Sequence, residues 1–403
     1  MSNIIITGAN GQLGQFLIKY LLDNELNLEV IGTVRHKSYD CQKYIFDRSK
    51  VKFELMDLSD SHSIENLILK YKSNYFVNTS ANAFVGESWK VPFQQFELNT
   101  LGVLHQLESI RKHSPHTRYI NLGTSEEFGS DTNDGKSQDE NTKIDPKSPY
   151  GCSKAAARYL INTYKRSYNL YALQLWAFNF ESELRGEKYV TKKITKGVAK
   201  IYHAIKNNKK FEPIELGNLD SVRSWQFCGD VADGIWRMLN QEKYNNEIKF
   251  ALNEFKKDLK NVEEIEYGRT DYEIEKLLSK YIKNYVISSS THHTVREFVN
   301  IAFKEAKIKG FWRSHIFNEP FKGYEEYVLN IYDSKTHGPC GTTMGNEVLV
   351  KINKDFFRPH DVTYLNGDAS IIKKDLGWSS TLTFEDLVKR MVKYDIENYN
   401  DKE

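Results

Sequence analysis

Tyr150 and Lys154 stand four residues apart, just behind Ser148-Pro149. Ser-Pro reads as the start of a helix, and positions i and i+4 share a helix face, so the two side chains point together into one cleft. A phenol alone is a poor base near neutral pH, with a pKa of ~10. An ammonium beside it favours the phenolate, which makes the pair suited to exchanging protons under physiological conditions. Tyr-x-x-x-Lys by itself says little. The chain holds 24 tyrosines and is rich in lysine, and an ordinary helix-surface pair has the same spacing. The upstream residues give it weight. Arg118-Tyr-Ile-Asn-Leu122 reads as a buried strand ending at Gly123, and Thr124-Ser125-Glu126 follows. Sites in α/β proteins lie just past the carboxyl ends of parallel strands. A hydroxyl, a carboxylate, a tyrosine and a lysine are therefore expected to meet there.

The elements that must position them begin at the N-terminus. Asn3-Ile-Ile-Ile-Thr7 is a short β-branched strand, Gly8-Ala-Asn-Gly11-Gln-Leu-Gly14 a glycine-rich turn, and Phe16-Leu17 with Tyr20-Leu21 the apolar face of a helix. Strand, turn and helix come in the order a dinucleotide site requires: a tight turn, close approach of backbone amides to a pyrophosphate, and close helix–strand packing. The spacing is G-x-x-G-x-x-G. The second strand, Glu29–Val34, ends at Arg35, where an NAD site usually places an acid; a guanidinium there suits a 2′-phosphate, so NADP is expected over NAD. Further strands are expected at Val51–Met56, closed by Asp57-Leu58, then at Tyr75–Thr79, leading into Ser80–Gly86, and at Tyr171–Leu175. Ser88 and Trp89 open a helix, and Phe96–Leu107 reads as one continuous helix in which Asn99 is structural. This alternation predicts an α/β fold: a Rossmann-type, doubly wound parallel sheet with a smaller C-terminal α/β substrate domain. The expected boundaries are 1–180 for the nucleotide domain, with returns at about 219–245 and 285–310. The substrate domain takes about 181–218 and 311–403. Residues 245–285 are highly charged with helical spacing and read as a solvated helical insertion. Residues 318–346, containing Gly, Asn and Asp, read as a long loop.

Composition bounds the rest. At 403 residues the chain can bury a large core, and 56 Lys+Arg against 54 Asp+Glu give a formal charge of +2, with no nucleic-acid footprint. Cys41, Cys152, Cys228 and Cys340 have neither metal-ligand nor disulfide spacing. With no 18-residue apolar run and no leader, a reduced cytoplasmic protein without a membrane segment or a metal is expected.

With these pieces placed, the sequence resembles the GDP-mannose 4,6-dehydratases among the extended short-chain dehydrogenases/reductases. Thr124-Ser125-Glu126, Tyr150 to Lys154, Asn179 with Glu181-Ser182, Arg185-Gly186 and Val190–Thr195 carry the resemblance. So do Leu216–Asp220, Arg223-x-Trp225 and Phe357-Arg358-Pro359 followed by Gly367-Asp368. It implies a catalytic set of Thr124, Glu126, Tyr150 and Lys154. It implies NADP contacts from Gly8, Asn10, Gly11, Gln12, Leu13, Gly14, Arg35, Asp57, Leu58, Ser80, Tyr150 and Lys154. For the GDP-sugar it implies Ser88, Asn179, Glu181, Val190, Lys193, Leu216, Gly217, Arg223, Arg358 and Asp361. A homo-oligomer, dimer or tetramer, is implied too. The family's arginine- and serine-rich loop is not recognisable in Lys37–Ser49. Its Gln-Ser-His is Asn82-Ala83-Phe84 here, Phe180 follows Asn179 where His is common, and Ser224 replaces Asp. These departures lie toward the cofactor and sugar, so a GDP-heptose stands beside GDP-mannose as a substrate. An epimerase or reductase of the same fold, or a dinucleotide-binding regulator without turnover, are the competing classes. Glu126 discriminates among them, because the epimerases and reductases need no carboxylate there. Its ordinary alternative is a helix-capping carboxylate.

Overall fold

The computed structural model describes residues 2–36, 44–129, 136–260, 269–315, 324–329, 347–357 and 362–400. The chain divides into two compact units, each assembled from three segments. The first holds 1–180, 224–291 and 365–381; the second holds 181–223, 292–364 and 382–403.

The first unit is built on β1 (Ser2–Thr7), β2 (Leu28–Val34), β3 (Val51–Leu55), β4 (Tyr75–Asn78), β5 (Arg118–Leu122), β6 (Ala172–Ala177) and a seventh strand, Tyr285–Ile287. All pair in parallel, in the order seventh strand, β6, β5, β4, β1, β2, β3. Ile4, Ile5 and Ile6 are all fully buried. A strand covered on both faces needs no polar alternation, which is why β1 reads as a continuous apolar run. On one face, α2 (Ser61–Tyr71) and the helices Gly102–His113 and Pro149–Tyr168 set Leu67, Ile68, Leu107, Ile110 and Ile161 against Ile5, Ile31 and Phe76. The other face carries α1 (Gln12–Asp23), packed on the helix Cys228–Leu239. The winding direction reverses between β1 and β4, and in such sheets ligands bind at the carboxyl ends of the strands on either side of that point.

Two expectations needed revision here. The helix foreseen over Phe96–Leu107 is interrupted: Pro92–Phe96 is α-helical, Glu97–Leu101 forms a π turn, and the α-helix resumes at Gly102. The cause is Asn99. Its Oδ1 accepts from the Asn82 amide at 2.9 Å, and its Nδ2 donates to the Asn82 carbonyl at 3.1 Å and to Ser153 Oγ at 3.1 Å. The extra residue turns that amide inward to hold the segment after β4, and π turns recur at functional sites for this kind of reason. The charged stretch 245–285 forms the helices Asn246–Lys260 and Arg269–Leu278, but it is more than a solvated decoration. Ile248, Leu252 and Leu278 are buried. Glu275, also buried, makes an ion pair with Arg118 at the start of β5, 3.0 Å from Arg118 Nε, while Glu242 takes Arg118 Nη1 at 2.8 Å.

The second unit holds the helices Val190–Lys206, Val295–Glu305 and Phe384–Glu397 and a four-stranded sheet. The sheet runs Gly310–His315, Tyr324–Leu329, Val348–Ile352, Ile214–Leu216, with only the last pair parallel. The loop foreseen over 318–346 therefore contains a strand, in which Tyr327 and Val328 are buried. The glycines and asparagines around it hid its short Tyr-Val-Leu core. The remainder of that stretch lies outside the described residues. Asp395 bonds Thr195 Oγ1 at 2.6 Å and pairs with Lys192, joining two of the helices through buried polar groups. Among the described residues no helix is long and apolar enough to cross a membrane.

Candidate active site

Past the end of β5 the chain makes one 3-10 turn, Ser125–Glu127, capped at both ends of its bonding pattern. Thr124 Oγ1 accepts from the Glu126 amide at 3.3 Å, and the Thr124 amide donates to Glu127 Oε1 at 3.0 Å. The turn holds Thr124 and Glu126 where strand and helix face each other. The facing helix, Pro149–Tyr168, starts where its sequence indicates: Ser148 Oγ accepts from the Gly151 amide at 3.1 Å, and Pro149 occupies the first helical position. One turn in, Lys154 is 2% exposed, and its Nζ donates to the Leu122 carbonyl at the end of β5, at 2.9 Å. Tyr150, on the same face, is 7% exposed. Burial lowers the Lys154 pKa to about 8, and Glu127 opposes that shift. Glu126 is buried, and its Oε2 has no hydrogen-bond partner. A carboxylate oxygen left bare in a buried place costs free energy on the order of 1–3 kcal/mol or more. Its natural use is to accept something that arrives. The structure thus brings Thr124, Glu126, Tyr150 and Lys154 to the carboxyl end of one strand.

The glycine turn lies at the end of β1. Gly8 has a φ of +66°, and the Gly11 amide bonds back to the Gly8 carbonyl at 2.8 Å. A Cβ on Gly14 would fall 2.3 Å from that carbonyl oxygen, so no other residue lets α1 start so close to β1. Gly11 caps α1 without a side-chain bond, and a helix N-terminus capped in this way suits an anion. Thr7 Oγ1 accepts from the amides of Thr79 and Ser80, each at 3.1 Å, which sets Ser80 against Gly8. Asn10 is exposed, Leu13 is core, and Gln12 Nε2 donates to the Phe180 carbonyl at 3.2 Å. Arg35 is exposed at the end of β2 and acts electrostatically on Asp57. Asp57 is held below the usual carboxylate range, first by the Ser59 amide and also by its hydroxyl, at 2.9 and 2.8 Å. Leu58 packs in the core. The helix terminus, the glycine cradle and the cation beside it fit a dinucleotide phosphate group.

The residues expected at the sugar fall in several places. In the first unit, Ser88 is fully buried with its hydroxyl donated to the Val85 carbonyl at 2.6 Å. Asn179, past the end of β6, keeps a buried Oδ1 without a partner. In the second unit, Glu181 accepts from Thr191 Oγ1 at 2.7 Å and pairs with Arg185, whose guanidinium stacks 3.6 Å from the Tyr189 ring centroid. Val190 opens its helix, half exposed. Lys193 Nζ sits 3.6 Å from the centroid of the Phe356 ring, and Gly217, just past Leu216, leaves room for Phe356, 3.2 Å from where a Cβ would stand. Arg223 donates Nη1 to the Val222 carbonyl and Nη2 to that of Val362, at 2.8 and 2.7 Å. Lys193, Leu216, Gly217 and Phe356 are thus one cluster. Arg358 and Asp361 lie outside the described residues.

The profile of GDP-mannose 4,6 dehydratase matches residues 5–280 and 273–391. The chain belongs to the GDP-mannose 4,6-dehydratase family. It is 30% identical to a Drosophila melanogaster GDP-mannose 4,6 dehydratase across 98% of this chain and 86% of that one. The Vibrio cholerae enzyme is 28% identical across 98% and 93%, and the Homo sapiens enzyme 26% across 98% and 91%. Among solved structures, a dTDP-glucose 4,6-dehydratase from Bacillus anthracis in complex with NAD superposes with a TM-score of 0.67 at 17% identity, covering 99% and 98% of the two chains. A UDP-glucose 4-epimerase from Thermus thermophilus in complex with NAD gives 0.66 at 18%, covering 98% of each. These likenesses show the extended dehydrogenase/reductase fold. The family match runs through 245–280, so the stretch set apart by its charge lies inside the matched residues.

Sequence reasoning passed over two contributors, Phe356 and Arg158, and weighed a third, Glu127, only as the alternative base beside Glu126. Phe356 announces itself only as one of two aromatics before Arg358. Arg158 stacks 4.5 Å from the Trp176 ring centroid beside the site, a pairing across elements that helical spacing does not reveal. Glu127, the neighbour of the expected base, forms the densest set of bonds in the turn, and its signal was present in the doubled carboxylate.

Proposed function

We propose that this protein dehydrates GDP-mannose to the 4-keto-6-deoxy sugar, with bound NADP as its internal redox partner. The observation that carries the reading is Glu126: a buried carboxylate with an unpartnered oxygen, on the turn that also presents Thr124, facing the helix of Tyr150 and Lys154. Bound NADP supplies a hydride acceptor for C4 and the hydride that returns to C6. Tyr150 takes the proton of the 4-hydroxyl, and Lys154, held on the Leu122 carbonyl, provides the positive charge that favours its phenolate. Thr124 is placed to hydrogen-bond near the 4-oxygen. The 4-keto group acidifies the C5 proton; Glu126 removes it and passes it to the departing 6-hydroxyl, which leaves as water, and the proton held by Tyr150 goes to C5 as hydride reaches C6.

Incubation with a panel of nucleotide sugars, read by mass for loss of water, tests the reaction. The panel includes a GDP-heptose because Ala83, Phe84 and Phe180 depart from the family pattern. Glu126→Gln should lower dehydration ~10²–10⁴-fold while C4 oxidation survives, seen as reduced-cofactor absorbance without solvent deuterium at C5. Tyr150→Phe should abolish oxidation itself. Full dehydration by the Glu126→Gln variant would remove Glu126 from the mechanism.

Arg35 supports NADP over NAD. Arg35→Ala should weaken NADP by about 1–3 kcal/mol, as for a hydrogen bond to a charged group. Equal or tighter binding of NAD by the unaltered protein overturns the preference. The free thiols Cys152 and Cys228 support a reducing, cytoplasmic setting. A homo-oligomer is supported by the apolar groups Phe93, Phe96, Leu101 and Tyr159, exposed on elements that pack beside one another.

A further inference from the structure

Glu127 has no part in the chemistry above, yet it is buried more deeply than Glu126, at 0% exposure against 8%. Besides the Thr124 amide, its Oε1 accepts from Gln174 Nε2 at 2.9 Å, and its Oε2 accepts from Trp176 Nε1 at 2.9 Å. The bond from Gln174 is the last of a series. Thr7 Oγ1, which receives the Thr79 and Ser80 amides beside the glycine turn, donates to Asn78 Oδ1 at 2.7 Å. Asn78 Nδ2 donates to Asn121 Oδ1 and Asn121 Nδ2 to Gln174 Oε1, both at 2.8 Å. All four of these side chains are buried. The ladder crosses β1, β4 and β5 at or near their carboxyl ends and β6 at its middle, and the donors of the series point the same way, toward Glu127. Only a group that accepts without donating ends such a series with no donor left over, and an ionised carboxylate is that group. Aligned bonds of this kind polarise one another in a low-dielectric interior. The backbone is cut to fit: a Cβ on Gly123 would stand 2.4 Å from Gln174 Nε2 and 2.7 Å from Glu127 Oε1.

The charged groups acting on Glu127 are Arg158 and Lys154, on successive turns of the helix Pro149–Tyr168. The carboxylate acting on Lys154 is Glu127. Glu126, Tyr150 and Cys152 complete the titratable groups of the turn and the first helical turn, and burial raises the Cys152 thiol. Burial pushes the Glu127 carboxyl up, and the bonds from Trp176 and Thr124, with the two cations, pull it back.

We propose that Glu127 is a positioning residue: as the acceptor end of the ladder it fixes the turn that presents Thr124 and Glu126, and it supplies the negative charge opposite Lys154. The proposal rests on the dehydratase reading of the same site. It also couples the loop beside the dinucleotide turn to the catalytic turn through one run of hydrogen bonds.

Glu127→Gln keeps one acceptor oxygen but sets an amide N–H against Trp176 Nε1–H. The double variant Glu127→Gln/Trp176→Phe removes that donor–donor contact and isolates the charge. In both, the alkaline limb of the kcat/KM profile should move to lower pH by ~1 unit, the effect of losing an opposite charge at close range. kcat should fall, with KM for GDP-mannose changed by no more than about twofold, as for an interaction expressed in the transition state. Trp176→Phe alone, and Glu127→Asp, which keeps the charge, should leave the limb in place. An NMR titration of 13C-labelled lysine reads Lys154 directly and needs no turnover. A protein that failed to dehydrate any sugar would still show whether Glu127 acts on Lys154. Unmoved limbs and an unmoved Lys154 titration in the Gln variants overturn the proposal, whatever the loss of rate. If the Gln variants do not fold, Glu127→Asp decides, and a displaced limb there overturns it.

Discussion

Lys154 releases its proton at about pH 8 in the folded protein, against an ordinary lysine value of 10.5, because burial disfavours the ammonium. Below about pH 8 the native state bears the full cost of a buried charge. Between pH 8 and 10.5 the unfolded chain holds a proton that the native state has shed, so this group adds stability as pH rises through that window. In the proposed mechanism activity runs the opposite way, since the ammonium assigned there to Tyr150 disappears over the same range. Turnover should therefore decline through about pH 8, while the urea midpoint, taken relative to Lys154→Met, rises toward pH 10. A relative midpoint that falls in step with activity would refute this assignment of the limb. Thr124, Tyr150 and Lys154 were legible in the sequence because their geometry is local: a capped turn and one i,i+4 spacing. The role of Glu127 was not, because its partners Gln174 and Trp176 arrive on another strand, 47 and 49 residues away.

At the scale of elements, strands and glycine turn follow from local pattern, and their parallel order follows from alternation with helices. What pattern missed is where one element grips another. Asn99 is an ordinary residue on a helical wheel, yet it opens a π turn to hold Asn82 by both its amide and its carbonyl. Asn99→Leu should close that turn and free the segment after β4. Cofactor affinity and kcat should fall together, and an unchanged NADP dissociation constant would count against this. The helix Arg269–Leu278 reads as solvated because its sequence is highly charged. Glu275 is instead pointed at Arg118 beneath β5, where Tyr171 also lies 4.9 Å from the guanidinium. Glu275→Ala leaves Arg118 with Glu242 and the Leu239 carbonyl and should cost about 3 kcal/mol in urea unfolding, the range for breaking a buried pair. Deletion of 250–282 should cost more and compromise folding. A deletion variant as stable as the parent would mean that Arg118 finds water instead.

For the whole molecule, Phe93, 92% exposed, sits with Phe96, Leu101 and Tyr159 on adjoining helical elements. If that face joins two copies, Phe93→Asp with Phe96→Asp should yield monomers in sedimentation at micromolar protein, with the fold intact by circular dichroism. Unchanged sedimentation would assign the oligomer to another surface. The sheet carries a different consequence, one of timing. Six of its strands are complete by Ala177, but the seventh, Tyr285–Ile287, is encoded ~110 residues later. At about 5–20 residues per second a ribosome takes on the order of 10 s to deliver it. Throughout that interval β6, whose six residues are all buried in the finished protein, is an open edge carrying Leu173, Leu175 and Trp176. Bare edges of this kind recruit other strands. The newborn chain should thus be most prone to aggregate, and most dependent on chaperones, in nascent lengths between residues 177 and 287, and translation pauses placed there should lower the soluble yield.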